Sequence, residues 1–335
     1  MSSRHPAARV GFWDPSRRVS RRDPNRLARR LTATVTANPI VIASGAFIVL
    51  ITALAVCVPL LPLQGPTEQS VLFRLKPPSA EHVLGTDRLG RDILSRLLWG
   101  ARLSLLVGVG VVAVSATLGT ILGVVAGYFR GWPSEVVLRL TDILLAFPPL
   151  ILAMVTVTIL GNSLLTVVLA ISVGIVPRFA RVARATILAI REREYVEAAR
   201  ALGASTPRIV VQHVLLNAVD PLIVLCTLLV PTAILTEALL SFLNLGITEP
   251  EPTWGNMIYS GQLVLREATW LTASPGVAIV LTVLAFNLLG DAIRDAFDPA
   301  VRDLGAPTPS LDESLPTPAP RLSAAGPEPS PVAAS

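Results

Sequence analysis

The sequence predicts an all-α polytopic membrane protein with six transmembrane helices and both termini in the cytoplasm. Three observations carry that prediction. Of the 335 residues, 52% are hydrophobic and only 15% charged, where an ordinary soluble domain is about 25% charged. Six apolar segments stand near Pro39–Pro62, Leu103–Phe129, Val136–Leu160, Ser163–Pro177, Val219–Leu245 and Leu271–Leu289, and about 20 apolar residues cross the hydrocarbon as a helix. The basic residues alternate between dense and sparse across these segments. A mean hydropathy of +0.63 excludes a disordered chain, a disulfide scaffold and a typical cytosolic enzyme. The aromatic share of 5% is too small for the girdles of an outer-membrane barrel.

Residues 1–38 form a basic cytoplasmic segment with nine Arg in the first 30 positions. No binding fold is recognisable around these arginines, which argues against nucleic acid as a partner. A cytoplasmic anchor beside the lipid bilayer fits the positive-inside rule. The first span is longer than a signal core, so it reads as an uncleaved helix. The arginine pairs ahead of it fall under the same basic anchor.

The outer-face segment 63–102 reads as lying in the membrane interface. Thr86 or Asp87 is placed to cap a helix over Arg88–Gly100. Leu89, Ile93, Leu97 and Leu98 then share one face, opposite Arg91, Asp92, Ser95 and Arg96. Trp99, Trp254, Tyr259 and Trp270 fit an outer aromatic belt. In the second span Gly119, Gly123 and Gly127 make a small-residue stripe suited to close helix packing. Pro148–Pro149, Pro221 and Pro231 predict bends in spans three and five. The fourth span is short before Arg178, so its helix continues into the cytoplasm. With the N-terminus inside, 21 basic residues fall on the cytoplasmic side and seven outside, which fixes the orientation. Cys57 and Cys226 sit in apolar runs and behave as small hydrophobes. The tail, 304–335, carries eight prolines from Gly305 onward and reads as disordered.

Chemistry of a catalytic kind is not legible. The single lysine, Lys76, has no glycine-rich loop before it, so no phosphate loop for ATP is present. His5, His82 and His213 are scattered, which leaves no metal site, and no nucleophile elbow occurs. The chain is expected not to be an enzyme by itself and to hold no cofactor.

Ionisable groups inside spans are costly and therefore informative. Asp142 has Arg139 one turn earlier as a partner, and Asp291 has Arg294. Glu237, deep in span five without a basic neighbour, suits a hydrated path or a contact between helices. The cytoplasmic loop 178–217 is the richest stretch. Arg178, Arg181 and Arg184 share a face. The run Glu194–Tyr195–Val196–Glu197–Ala198–Ala199–Arg200–Ala201–Leu202–Gly203 reads as a helix ended by glycine. Ser205 or Thr206 then caps a second helix with Pro207 in its first turn. Glu197 is spaced to pair with Arg193 or Arg200.

At these residues the chain resembles a known family. Glu197–Ala198–Ala199 followed by Gly203 is similar to the EAA motif of permease subunits in bacterial ABC importers. Leu84–Gly85–Thr86–Asp87, Gly90–Arg91–Asp92, Thr141–Asp142–Ile143–Leu144–Leu145–Ala146–Phe147–Pro148, Leu240–Ser241–Phe242–Leu243 and Trp254–Gly255–Asn256–Met257 extend it. Together, over roughly residues 35–303, they resemble the second permease of dipeptide, oligopeptide and nickel importers. The resemblance implies a type I importer permease fold over 39–303 in the bacterial cytoplasmic membrane. It implies a coupling helix that docks on an ATPase through Glu197, Ala198, Ala199 and Gly203, with Ala201, Leu202, Ala204 and Ser205 at the contact. ATP and Mg would be bound by that partner ATPase, not by this chain. Further implied partners are a homologous second permease, two ATP-binding subunits or domains, and an extracytoplasmic substrate-binding protein.

Two departures from the family pattern stand out, Leu215–Leu216–Asn217 where Leu-Pro is common and Asn244 where Gly is common. Glu237 and Asn244 are the candidates for the translocation path. Short peptides are the expected substrate, with nickel as the alternative. An ATP-independent carrier is the reading from another class, but neither inverted repeats nor helices broken near the midplane are legible. A scaffold without a path is the third reading.

Overall fold

Asn38 opens the first helix by accepting the Ile40 N–H on its side chain at 3.0 Å, and from there the described chain is mostly helical. The structure is a computed structural model that describes residues 38–297. All of the basic segment 1–38 except Asn38, and the Pro-rich tail 304–335, therefore lie outside the described residues. The helices are α1 (Pro39–Cys57), α2 (Ile93–Tyr128), α3 (Trp132–Ala146), α4 (Pro149–Leu160), α5 (Leu164–Arg191), α6 (Glu194–Ala201), α7 (Thr206–Ile209), α8 (Leu216–Phe242), α9 (Trp254–Gln262) and α10 (Trp270–Phe297). A π turn, Val210–Leu215, joins α7 to α8 without a break. Among the described residues the only strand-like feature is a bridge between Thr86 and Asp92.

Five helical runs are long and apolar enough to cross a membrane, or six if α3 and α4 count as one span. The third span is thus corrected. The sequence reads one bent helix over Val136–Leu160, but α3 and α4 meet at 94° across Phe147–Pro148. Pro148 and Pro149 are the physical reason, since proline N-terminal to a helix starts a new one and disfavours helix before it. A broken helix therefore stands where the sequence predicts only a bend.

The fourth span runs on as expected, with α5 continuing past Pro177 to Arg191. It is the most buried of the spans, and α1 is the least. Its chief partner is α2, and the small-residue stripe explains why. A Cβ on Gly123 would overlap that of Ala183 and come within 2.9 Å of the Ala180 carbonyl oxygen. Only a bare backbone lets the two helices meet this closely.

The outer segment is corrected as well. The sequence places an interfacial helix over Arg88–Gly100 capped by Thr86 or Asp87. Instead Asp92 caps α2 by accepting the Ser95 N–H at 2.8 Å, and the helix runs unbroken into span two. The reason lies in the turn before it, where Gly85 and Gly90 adopt φ of +78° and +71°, conformations glycine reaches without strain. Those turns fold Arg91, Asp92, Ser95 and Arg96 inward, so the supposed polar face is buried while Leu89 is exposed. Trp254 also leaves the predicted aromatic belt. It is fully buried and donates its indole N–H to the Leu97 carbonyl at 3.0 Å. The helix α9 that it begins has no counterpart among the elements expected from the sequence. A capping box between Thr253 and Asn256 starts it.

Candidate functional site: an inner turn and an outer junction

The cytoplasmic loop folds as helix, tight turn, helix. Glu194 and Glu197 lie in the first turn of α6 and Arg200 in its last, which matches the helix dipole at both ends. Gly203 takes φ +80°. The Gly203 N–H bonds the Arg200 carbonyl at 3.0 Å and the Ala204 N–H bonds the Ala199 carbonyl at 3.1 Å. That pair of bonds is the Schellman arrangement, which satisfies the last carbonyls of the helix. Ser205 precedes α7 in an extended conformation and takes the Ile209 N–H on its backbone carbonyl, not its side chain. Val196 and Ile209 are buried in the main core, with Ala199 and Ala204 packed beside them. Glu197, Ala198, Ala201, Leu202, Gly203 and Ser205 face out, and Leu202 is 89% exposed. All eight predicted coupling residues thus lie on one short unit with an outward and an inward face.

The turn is fastened to the bundle by arginines. Arg191 donates to the Gly127 carbonyl at 2.8 Å and Arg184 to the Ala126 carbonyl at 3.4 Å, both at the C-terminal end of α2, where cations complement the dipole. Asp142 pairs with Arg181 at 2.9 Å rather than with Arg139, which reaches Glu135. The pairing of Asp142 thus joins α3 to α5 instead of staying within one helix. The expected pairings of Glu197 with Arg193 or Arg200, and of Asp291 with Arg294, are not formed. These five side chains lie at the exposed surface, where ion pairs contribute little.

On the outer face the sequence assigns no chemistry, yet the structure builds a charge network there in which Asp87, Arg91 and Arg96 are buried and Glu249 is partly exposed. Asp87 accepts the Leu89 and Arg91 backbone N–H groups at 2.8 and 2.9 Å and the Arg91 Nε at 2.5 Å. Arg91 reaches on to Glu249 through Nη2 at 2.9 Å and Nη1 at 3.3 Å. Arg96 donates to Glu249 at 3.2 Å and to the Pro66 carbonyl at 3.3 Å. Beside it His82 Nδ1 lies 2.9 Å from Asp92. Burial would push the Glu249 carboxyl up, but hydrogen bonds and charge from Arg91, with the charges of Arg96 and Arg88, hold it below the ordinary carboxylate value. For Arg91 burial works against the charge, and Glu249 and Asp87 together reverse it, raising the guanidinium further. Two acids and two arginines close together, at Asp87, Arg91, Asp92 and Arg96, were the available signal. Glu249 was not legible, because it lies on the far side of span five in the chain.

The two path candidates separate. Glu237 is fully buried and accepts hydrogen bonds from Ser241 at 2.8 Å and Ser104 at 3.1 Å. Ser104 also accepts the Trp254 N–H at 3.3 Å, so Glu237 sits where α2, α8 and α9 meet. Asn244, at φ +58° just past the end of α8, is exposed and lines an outer cleft of about 540 Å³ with Arg74, Arg88, Arg91, Glu249 and Tyr259. Glu237 is not part of that wall. Among the described residues no group of three or more His, Cys, Asp or Glu is placed to hold a metal ion.

Residues 119–303 match the family described as "Binding-protein-dependent transport system inner membrane component". The dipeptide transport system permease protein DppC of Alkalihalophilus pseudofirmus is 43% identical over 249 residues, 74% of this chain and 82% of that protein. The di/tripeptide transport system permease protein DppC of Pseudomonas aeruginosa is 43% identical over 263 residues, 77% and 87% of the two chains. The probable D,D-dipeptide transport system permease protein DdpC of Escherichia coli is 38% identical, over 81% and 91%. A crystal structure of the MetNI methionine ABC transporter in an inward-facing conformation aligns with 62% of this chain and 98% of its own at 21% identity, with a TM-score of 0.48. The family match spans more than half of the chain, and these relatives are covered over most of their length; the chain belongs to the inner-membrane components of binding-protein-dependent transport systems, as a multi-pass permease.

Proposed function

We propose that this chain is one of two homologous permeases in an ATP-driven importer of short peptides, coupled to a separate ATPase through residues 194–208. The observation that carries the coupling is the two-sided turn. Leu202, Glu197 and their neighbours face out, while Val196 and Ile209 key the same unit into the core. A rigid unit of that kind converts a push from outside into movement of the helices behind it. Here α7 is continuous with α8, which carries Glu237 and Ser241 near its far end. Movement at the turn is thereby passed to the contact with α2 and α9. The translocation path lies at the interface with the second permease, and an extracytoplasmic binding protein delivers the substrate. ATP and Mg belong to the ATPase rather than to this chain. The peptide reading is supported by the names of the relatives, which specify dipeptides, di/tripeptides and D,D-dipeptides.

The test is purification of the tagged chain from its own membranes in mild detergent. A second permease and an ATPase are expected to come with it. Glu197→Arg is expected to release the ATPase and keep the second permease. Recovery of the chain alone, or an ATPase that ignores Glu197→Arg, contradicts the proposal.

A further inference from the structure

We propose that the outer cleft is a carboxylate-binding vestibule in which Arg74 and Arg88 take the C-terminal carboxylate of an incoming peptide. This rests on the peptide reading and adds a place on this chain where substrate is held. The cleft volume of about 540 Å³ falls within the range of small-molecule sites, about 300–1,000 Å³. A concavity of that size suits a small ligand better than a flat protein face.

Direct ion pairing around the cleft leaves two arginines over, Arg88 acting on Glu249 only through its charge. Asp87 and Glu249 are matched by Arg91 and Arg96. Arg74 and Arg88 line the same cleft, and neither enters an ion pair among the described residues. The Nε of Arg88 is buried without a hydrogen-bond partner. An arginine N–H withdrawn from water and unmatched is a liability that an arriving carboxylate removes, through a charge-assisted bond. The wall already shows this chemistry once, since Arg91 seats the Glu249 carboxylate with two N–H groups. Leu263 and Leu271 supply apolar surface nearby for a side chain.

The experiment is saturation-transfer NMR on the purified membrane complex in nanodiscs, without ATP or binding protein. The probes are the dipeptide Ala-Phe and its C-terminal amide. The free acid is expected to bind about tenfold more strongly than the amide, as loss of a charged hydrogen bond implies. The double variant Arg74→Gln/Arg88→Gln should bring the acid down to the amide, while Arg102→Gln, outside the cleft, should not. Equal signals from acid and amide on the wild-type complex overturn the proposal whether or not the variants fold. So does a well-folded double variant that keeps the preference. Normal dipeptide uptake by cells lacking this chain would instead contradict the peptide reading, so the two failures are distinct.

Discussion

The inner turn and the outer junction lie at opposite ends of α2 and are held by different means. The turn is local. Its cap joins residues of a single helical turn, its own charges are exposed, and Val196 and Ile209 anchor it from within while Arg184 and Arg191 tie the helix before it to the end of α2. The junction is long-range and polar. Arg91 and Arg96, both nearly free of solvent contact, bind a carboxylate that lies beyond span five in the chain. Each end is therefore free to change in a different way. A surface turn tolerates substitution of its outward face without losing shape, so that face is available for a partner. A buried charge network has no such freedom, because removing one member strands the others.

Arg91→Met should strike hardest at this contrast. It leaves the buried Asp87 with only the more distant Arg96 and takes the two-pronged partner from the partly exposed Glu249, so the cost falls at the low end, about 3 kcal/mol, of that for breaking a buried pair. The expected outcome is loss of folded protein from the membrane, read by thermal melting in detergent. Gly123→Leu comes next. Overpacking costs about 1–3 kcal/mol, and here backbone stands in the way, so α2 and α5 must separate. Gly203→Ala should cost about 1 kcal/mol, since the added Cβ meets open space and only the left-handed backbone is strained. Glu197→Arg should shift stability by less than about 0.5 kcal/mol while releasing the ATPase, and a large drop in melting temperature would show the outward face to be structural.

The smallest effect concerns the outer side and is read through pH. Glu249 has a folded pKa below its ordinary value, so its contribution is complete above that ordinary value. It is lost as pH falls through the lowered one. Melting temperature should therefore be insensitive to Glu249 between about pH 7 and pH 5 and fall further down. Glu249→Gln should remove part of that acid-side decline.

Legibility in the sequence follows the same divide. The helix–turn–helix at Glu194–Ile209 can be read because its signals, an acidic start, a glycine end and a serine–proline restart, sit in one short stretch. The glycine stripe of α2 is legible for the same reason, as a spacing on one helix. The outer segment misleads because alternation of polar and apolar residues assumes that polar side chains face water. Gly85 and Gly90 turn them inward instead, toward Glu249. Trp254 misleads in the same way, as an amphipathic side chain whose polar atom finds the Leu97 carbonyl rather than the membrane surface. The break at Phe147–Pro148 is visible as a bend but not as a right angle, since proline signals a boundary and packing sets the angle.

If the outward face of the inner turn is where an ATPase bears on this chain, Leu202 should lie against that subunit in the assembled transporter. Cysteine cross-linking at Leu202→Cys in the purified complex, with Cys57 and Cys226 replaced by serine, reads that contact. Leu160→Cys, exposed at the far end of α4, is the control. A cross-link from position 202 to the ATP-binding subunit, and none from position 160, is the expected result. A complex that still hydrolyses ATP in response to loaded binding protein, yet gives no cross-link at 202, would contradict it.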